Sequence, residues 1–264
     1  MAVTGNAPRP RRLLMTLALA DLRNIARDGL LAFLIFLPLA IALAYRFLIP
    51  DHANLEALVQ AQLPANLEPY GSMIETVVDG IEPVLMSVFV GMSPGLIGAV
   101  YGLLLVDERD ERTLAVLRVM PISFGQYLLA RMVTPCALSL LVTIIAYPLA
   151  GMMPLPLTTV ILIASAGVTT VPVVVLGIVV FASNKVAALA VMRVMTGVLA
   201  LPMFAYFATP AQELLAWPIP SFWQMKALWL AADGRAFAWV LVLTVAINIP
   251  LSIWLYSRFA NRNE

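Results

Sequence analysis

From Leu30 to Ile49 the chain runs through twenty residues with a single charged side chain, Arg46, and five comparable stretches follow at about 83–106, 132–152, 157–182, 186–208 and 237–256. Each reaches the length of about 20 mostly apolar residues that carries a helix across a hydrocarbon core. In lipid every backbone N–H and C=O must find its partner within the structure, which leaves helices and closed barrels. A barrel would show alternating segments of about ten residues, and these runs are continuous. The expected fold is an all-α polytopic membrane protein with six transmembrane helices in one domain covering residues 1–264. Composition agrees: 62% of residues are hydrophobic and 12% charged, against about 25% charged in soluble domains, and mean hydropathy is +0.94.

The polar residues set the orientation. Residues 11–28 place Leu14, Leu17, Ala18, Leu22 and Ile25 at helical spacing, with Arg12, Thr16, Arg23 and Arg27 on another face. This pattern predicts an amphipathic helix on the membrane surface. The segment Asp51–Glu82 contains six carboxylates and no Lys or Arg, and reads as an outer loop. With the N-terminus inside, thirteen of the sixteen Lys and Arg fall on the inner side. The positive-inside rule therefore predicts two cytoplasmic termini and a multi-pass protein of the cell membrane. A net charge of +1, with the basic residues scattered, gives no patch for nucleic acid.

Several chemistries are disfavoured. There is no G-x-x-x-x-G-K-[ST] loop, and neither Lys185 nor Lys226 follows a glycine-rich turn, so no ATP site of that type is expected in this chain. His52 stands without a second His or a Cys nearby, and a zinc site needs three or four ligands. No metal or cofactor bound by the chain is expected. The lone Cys136 precludes an intrachain disulfide. No Asp, Glu or Lys falls in the middle of a span, whereas an embedded protease or ion-coupled carrier needs such groups at depth. Arg46 and Arg193 read as end residues able to snorkel.

The densest charge lies between the second and third spans, in DERDERTLAVLRVMPISFGQYLLAR, Asp107 to Arg131. Glu108 and Arg112 stand at i and i+4, Pro121 ends the helical pattern, and Ser123 is placed to cap the next helix. The expectation is a short cytoplasmic helix joined to both spans. Read from periodicity alone, the same block serves equally as a solvated link.

Glu108, Arg109, Asp110, Glu111, Arg112, Thr113 and Leu114 with Leu117, Met120, Pro121, Ile122 and Ser123, then Leu128 to Arg131, resemble the E-R-E-x-G-T-L-x-x-L-x-x-x-P-x-S…L-x-G-K segment of ABC-2 type transporter permeases. Arg112 stands where that family usually has Gly, and Arg131 where it usually has Lys. The resemblance implies that the link is a coupling helix, with Asp107, Glu108, Arg109, Asp110, Glu111, Arg112, Thr113, Leu114, Leu117 and Pro121 meeting a separate cytoplasmic ABC ATPase that holds ATP and Mg. It also implies a second permease copy, identical or related. Trp217 to Trp223 resembles the re-entrant hairpin that the family places before its last span. The chain further resembles actinobacterial drug-efflux permeases, including those associated with fluoroquinolone export. Without mid-span charge, hydrophobic or amphipathic cargo is expected, and Met192, Met195 and Met203 are the pathway candidates. A lipid or glycolipid exporter and a non-transporting membrane scaffold are the alternatives.

Overall fold

The computed structural model describes residues 25–50, 71–111 and 124–263, with the isolated positions 23, 54 and 57. Helices α1 (Gly29–Leu48), α2 (Gly71–Asp110) and α3 (Phe124–Ala150) are followed by α4 (Leu157–Gly167) and α5 (Thr170–Phe181), which together form the fourth span. The fifth span is α6 (Lys185–Ala200) with a 3-10 segment, Leu201–Phe207. After these come the short α7 (Pro210–Glu213), α8 (Phe222–Ala232) and α9 (Ala238–Asn263). Six helices are long and apolar enough to cross a membrane. Most of the N-terminal amphipathic pattern and all of 112–123 lie outside the described residues.

Local chemistry explains the boundaries. Asp28 caps α1, its Oδ1 accepting from the backbone N–H groups of Leu30 and Leu31, and Asn184 caps α6 by accepting from Ala187. Gly151 (φ 69) and Gly234 (φ 67) follow the ends of α3 and α8 in the left-handed conformation that closes helices.

α2 is the centre of the bundle. In its most apolar stretch 94% of residues are buried, and in the fourth span 78%, against 22% in each of spans one, five and six. Glycines let neighbours approach it closely. A Cβ at Gly98 would lie 2.9 Å from Val174 Cβ on α5, and one at Gly91 would lie 2.1 Å from Met225 Cε on α8. One core cluster joins Ile97, Val100, Tyr101 and Val106 of α2 to Val174 and Ile178 of α5 and Phe259 of α9. A second, toward the other membrane face, joins Met86 and Phe89 to Tyr147, Ile163, Phe222 and Trp229. Asp28, just before α1, lies close enough to Lys185 to act on its charge, and Tyr256 of α9 meets Gly125 at the start of α3, so both ends of the described chain lie toward the Asp107 end of α2.

Four boundaries differ from the sequence reading. α2 begins at Gly71, so residues 71–82 are helical and Pro83 lies within a helix. At 40 residues it is about 60 Å long, twice the hydrocarbon thickness, and must project beyond the membrane. Its extension is braced where Gly80 meets the Phe207 ring. Membrane helices tolerate internal proline when side chains satisfy the freed carbonyl, and Ser87 Oγ donates to Pro83 O at 2.7 Å. α3 begins at Phe124, where a helix is expected after Ser123, but runs on without a break through the third span, and α9 continues to Asn263. The fourth span is interrupted at Val168 and Thr169.

Residues 209–235, where the resemblance implies a re-entrant hairpin, hold two short helices. Pro218 and Pro220 separate α7 from α8, whose 11 residues extend only about 16 Å and cannot span the bilayer. Its side chains Phe222, Gln224, Met225 and Leu228 are nevertheless buried. Trp229 Nε1 donates to Ser87 Oγ on α2, and Lys226 pairs with Glu213, which fixes the short helix at both faces.

Candidate functional site: the charged end of α2 and an intramembrane polar node

The last turn of α2 carries Asp107 to Asp110, and all four of these side chains are held by other elements. Lys185 Nζ lies 2.8 Å from Asp107 Oδ2, while the Lys185 backbone N–H donates to Asp110 Oδ2 at 3.2 Å. Glu108 accepts from Tyr127 Oη at 2.7 Å and forms an ion pair with Arg131, both on α3. Arg109 donates to the Val179 carbonyl at 3.0 Å, near the end of α5. The charged turn therefore fastens α2 to the start of α3, the end of α5 and the start of α6. Glu111 is exposed.

This placement divides the expected interface. Asp107, Glu108, Arg109, Asp110 and Glu111 are together at the end of α2, while Arg112, Thr113, Leu114, Leu117 and Pro121 lie outside the described residues. Glu108 is engaged by Arg131 and Tyr127, while Arg112, expected to stand beside it along one helix, lies outside the described residues. Arg131 is only 5% exposed and Glu108 21%, so this ion pair is a part-buried structural contact.

The three methionines do not converge. Met192 and Met195 pack against the cluster around α2 and α5, with Met195 over Gly177, and Met203 packs against the other cluster.

Sequence reasoning looked for charge at depth and so passed over a neutral node. Asn248, in α9, donates through Nδ2 to Thr169 Oγ1 and Thr170 Oγ1, each at 3.0 Å, at the break in the fourth span. Thr170 Oγ1 also donates to Gln224 Oε1 of α8 at 3.5 Å. The Gln224 amide fits against Gly167, where a Cβ would lie 2.5 Å from Oε1. Gln224 and Asn248 are fully buried, and Gln224 Nε2 and Asn248 Oδ1 have no hydrogen-bond partner among the described residues. The signal available in the sequence was Asn248 itself, an amide inside an otherwise apolar run.

Thr169 also borders a cavity of about 380 Å³ between α3, α5 and α9, lined by apolar residues including Leu128, Met132, Leu176 and Ile253. Its hydroxyls come from Thr169, Ser252 and Tyr256. The volume is within the range of small-molecule sites, about 300–1,000 Å³. Among the described residues no three His, Cys, Asp or Glu side chains are grouped to hold a metal ion.

A helical bundle with six helices long and apolar enough to cross a membrane defines the class of multi-pass membrane proteins. Residues 21–256 match the family described as "Fluoroquinolones export permease protein Rv2686c-like", and the chain belongs to that family. Two similar proteins are "Fluoroquinolones export permease protein MT2760" of Mycobacterium tuberculosis (strain CDC 1551 / Oshkosh) and "Fluoroquinolones export permease protein Rv2686c" of strain ATCC 25618 / H37Rv. Each is 24% identical over 242 residues, covering 90% of this chain and 90% of the relative.

Proposed function

We propose that this chain is the membrane subunit of an ATP-binding cassette exporter that moves fluoroquinolone-class or similar amphipathic drugs out of the cell. A separate cytoplasmic ATPase, carrying ATP and Mg, drives it, and a second permease copy, identical or related, completes the transporter. The assembly resides in the cell membrane with both termini of this chain cytoplasmic. The chain itself does no chemistry.

The observation that carries this reading is the attachment of the charged turn to three spans. A push on a flexible loop would dissipate. Here the segment entering the link is clamped to α3 through Glu108, to α5 through Arg109 and to α6 through Asp107 and Asp110. A displacement applied to 112–123 would reach all three spans through these contacts, and rigid-body tilting of packed helices gives alternating access. Asp107 to Glu111 then act as the base of the coupling segment, with Arg112, Thr113, Leu114, Leu117 and Pro121 toward the ATPase. Met192, Met195 and Met203 pack against the two core clusters, so their proposed part in the cargo pathway is as support behind its wall rather than as its lining.

The test is to delete 112–121, leaving the Glu108–Arg131 pair intact, in cells expressing the permease with its ATPase. Drug efflux should be abolished while the protein remains membrane-inserted; persistent efflux would remove the coupling role.

A further inference from the structure

The exposed faces of the peripheral spans differ in chemistry. α1 presents Leu30, Phe33, Phe36, Leu43 and Phe47, and α9 presents Val242, Ile249, Ile253 and Trp254, all large apolar side chains suited to lipid. The exposed face of α6 presents Val186, Ala190, Arg193, Val194, Gly197 and Val198. It too is largely apolar, but it carries a guanidinium in its middle with the small residues Ala190 and Gly197 on either side.

Arg193 lies eight residues into α6 from Lys185, about 12 Å along the axis from the charged rim. Its side chain is exposed and has no ion pair or hydrogen bond among the described residues. At the rim, by contrast, Lys185 has Asp107. One turn beyond Arg193, nothing lies within 4 Å of where a Gly197 Cβ would stand, so the face is open there. An arginine at such depth is costly against lipid and belongs toward a bundle interior or a water-filled cavity. Snorkelling shortens the distance to the rim but supplies no counter-charge. Met192 and Met195 project to the other side of α6, into the core, so the methionines and the arginine occupy opposite flanks of one helix.

We infer that the Ala190–Arg193–Val194–Gly197 face of α6 lines the aqueous pathway of the exporter, and that Arg193 binds an anionic group, a carboxylate, on its amphipathic cargo. The planar guanidinium matches a carboxylate with two parallel hydrogen bonds. The small residues around it leave space for the apolar body of the molecule. A second copy apposed through this face would bring two guanidinium groups toward one another, which favours an anion between them over direct contact. The inference rests on the export reading and assigns that pathway its charged residue.

Two measurements decide it. In a Cys136→Ser background, Gly197→Cys is exposed in membranes to 2-sulfonatoethyl methanethiosulfonate and to its trimethylammonium counterpart. The thiol should be modified, with the anionic reagent favoured relative to a reference thiol, and Arg193→Gln should lower that preference about tenfold, the scale of a lost charge-assisted contact. No modification by either reagent, or a preference unchanged in Arg193→Gln, would overturn the proposal. This arm needs no transport and decides the pathway even if the chain exports no drug. In cells, Arg193→Gln should cut efflux of a fluoroquinolone acid about tenfold and spare its methyl ester, with Arg193→Lys partly restoring the acid. Equal loss for acid and ester would overturn the carboxylate assignment, as would an Arg193 that touches only lipid phosphate and leaves both rates unchanged.

Discussion

Lys185 reaches Asp107 with its ammonium group at 2.8 Å and Asp110 with its backbone N–H at 3.2 Å, so the turn before the fifth span is fastened to the end of the second at two points. The charged pair is partly solvated, with Lys185 57% and Asp107 28% exposed. An exposed pair of this kind contributes about 0–1 kcal/mol to stability. Its consequence is mechanical: α6 follows any displacement of the charged turn. Lys185→Met should therefore leave thermal stability nearly unchanged while reducing the efflux rate several-fold. The swap Asp107→Lys with Lys185→Asp should restore part of it. Parallel melting and efflux measurements check the separation, and a loss of stability matching the loss of efflux would argue against it.

Arg131 and Glu108 should behave in the opposite way. Arg131 is buried and Glu108 is its partner, with Tyr127 donating to the same carboxylate. Removing Arg131 leaves the part-buried Glu108 carboxylate without its cation, a cost below the ~3–5 kcal/mol of breaking a fully buried pair. Arg131→Met should lower the melting temperature sharply, and adding Glu108→Gln should recover much of the loss. Thermal melts of the purified single and double variants measure this directly.

A third expectation concerns the polar node. A Cβ at Gly167 would lie 2.5 Å from Gln224 Oε1, too close for both groups to stay in place. Gly167→Ala should destabilise the protein by about 1–3 kcal/mol through overpacking. In a Gln224→Ala background the same substitution should cost much less, because the clashing amide is gone. A double-mutant cycle on unfolding free energy gives the coupling, and additive costs would contradict the contact.

The membrane plan was legible because hydrocarbon length is a strict requirement. The first apolar run ends within one residue of α1 on either side, and 157–182 covers the fourth span. What escaped was set by tertiary contacts. Pro83 has the look of a helix start, yet Ser87 satisfies its carbonyl and Trp229 in turn donates to Ser87, so α2 continues through it. The break at Val168 and Thr169 depends on Asn248, nearly eighty positions away, which takes up both threonine hydroxyls. Gln224 and Asn248 carry no charge, so a search for ionisable groups at depth missed them. The acidic run 107–111 was recognisable as special, but sequence spacing could not reveal that Asp107, Glu108 and Asp110 would each find a partner on another helix. Arg193 stands two turns inside α6, the depth that a span from 186 gives it, and the structure adds that its side chain is exposed with no ion pair among the described residues.

The central claim is that an external ATPase drives drug export through this chain. The direct measurement is fluoroquinolone accumulation in cells expressing the permease with its partner ATPase, compared with cells in which the phosphate-loop lysine of that ATPase is replaced. Lowered accumulation only when the permease and the active ATPase are both present is the expected result. Unchanged drug retention in the complete system, or efflux that persists with the inactive ATPase, would contradict it.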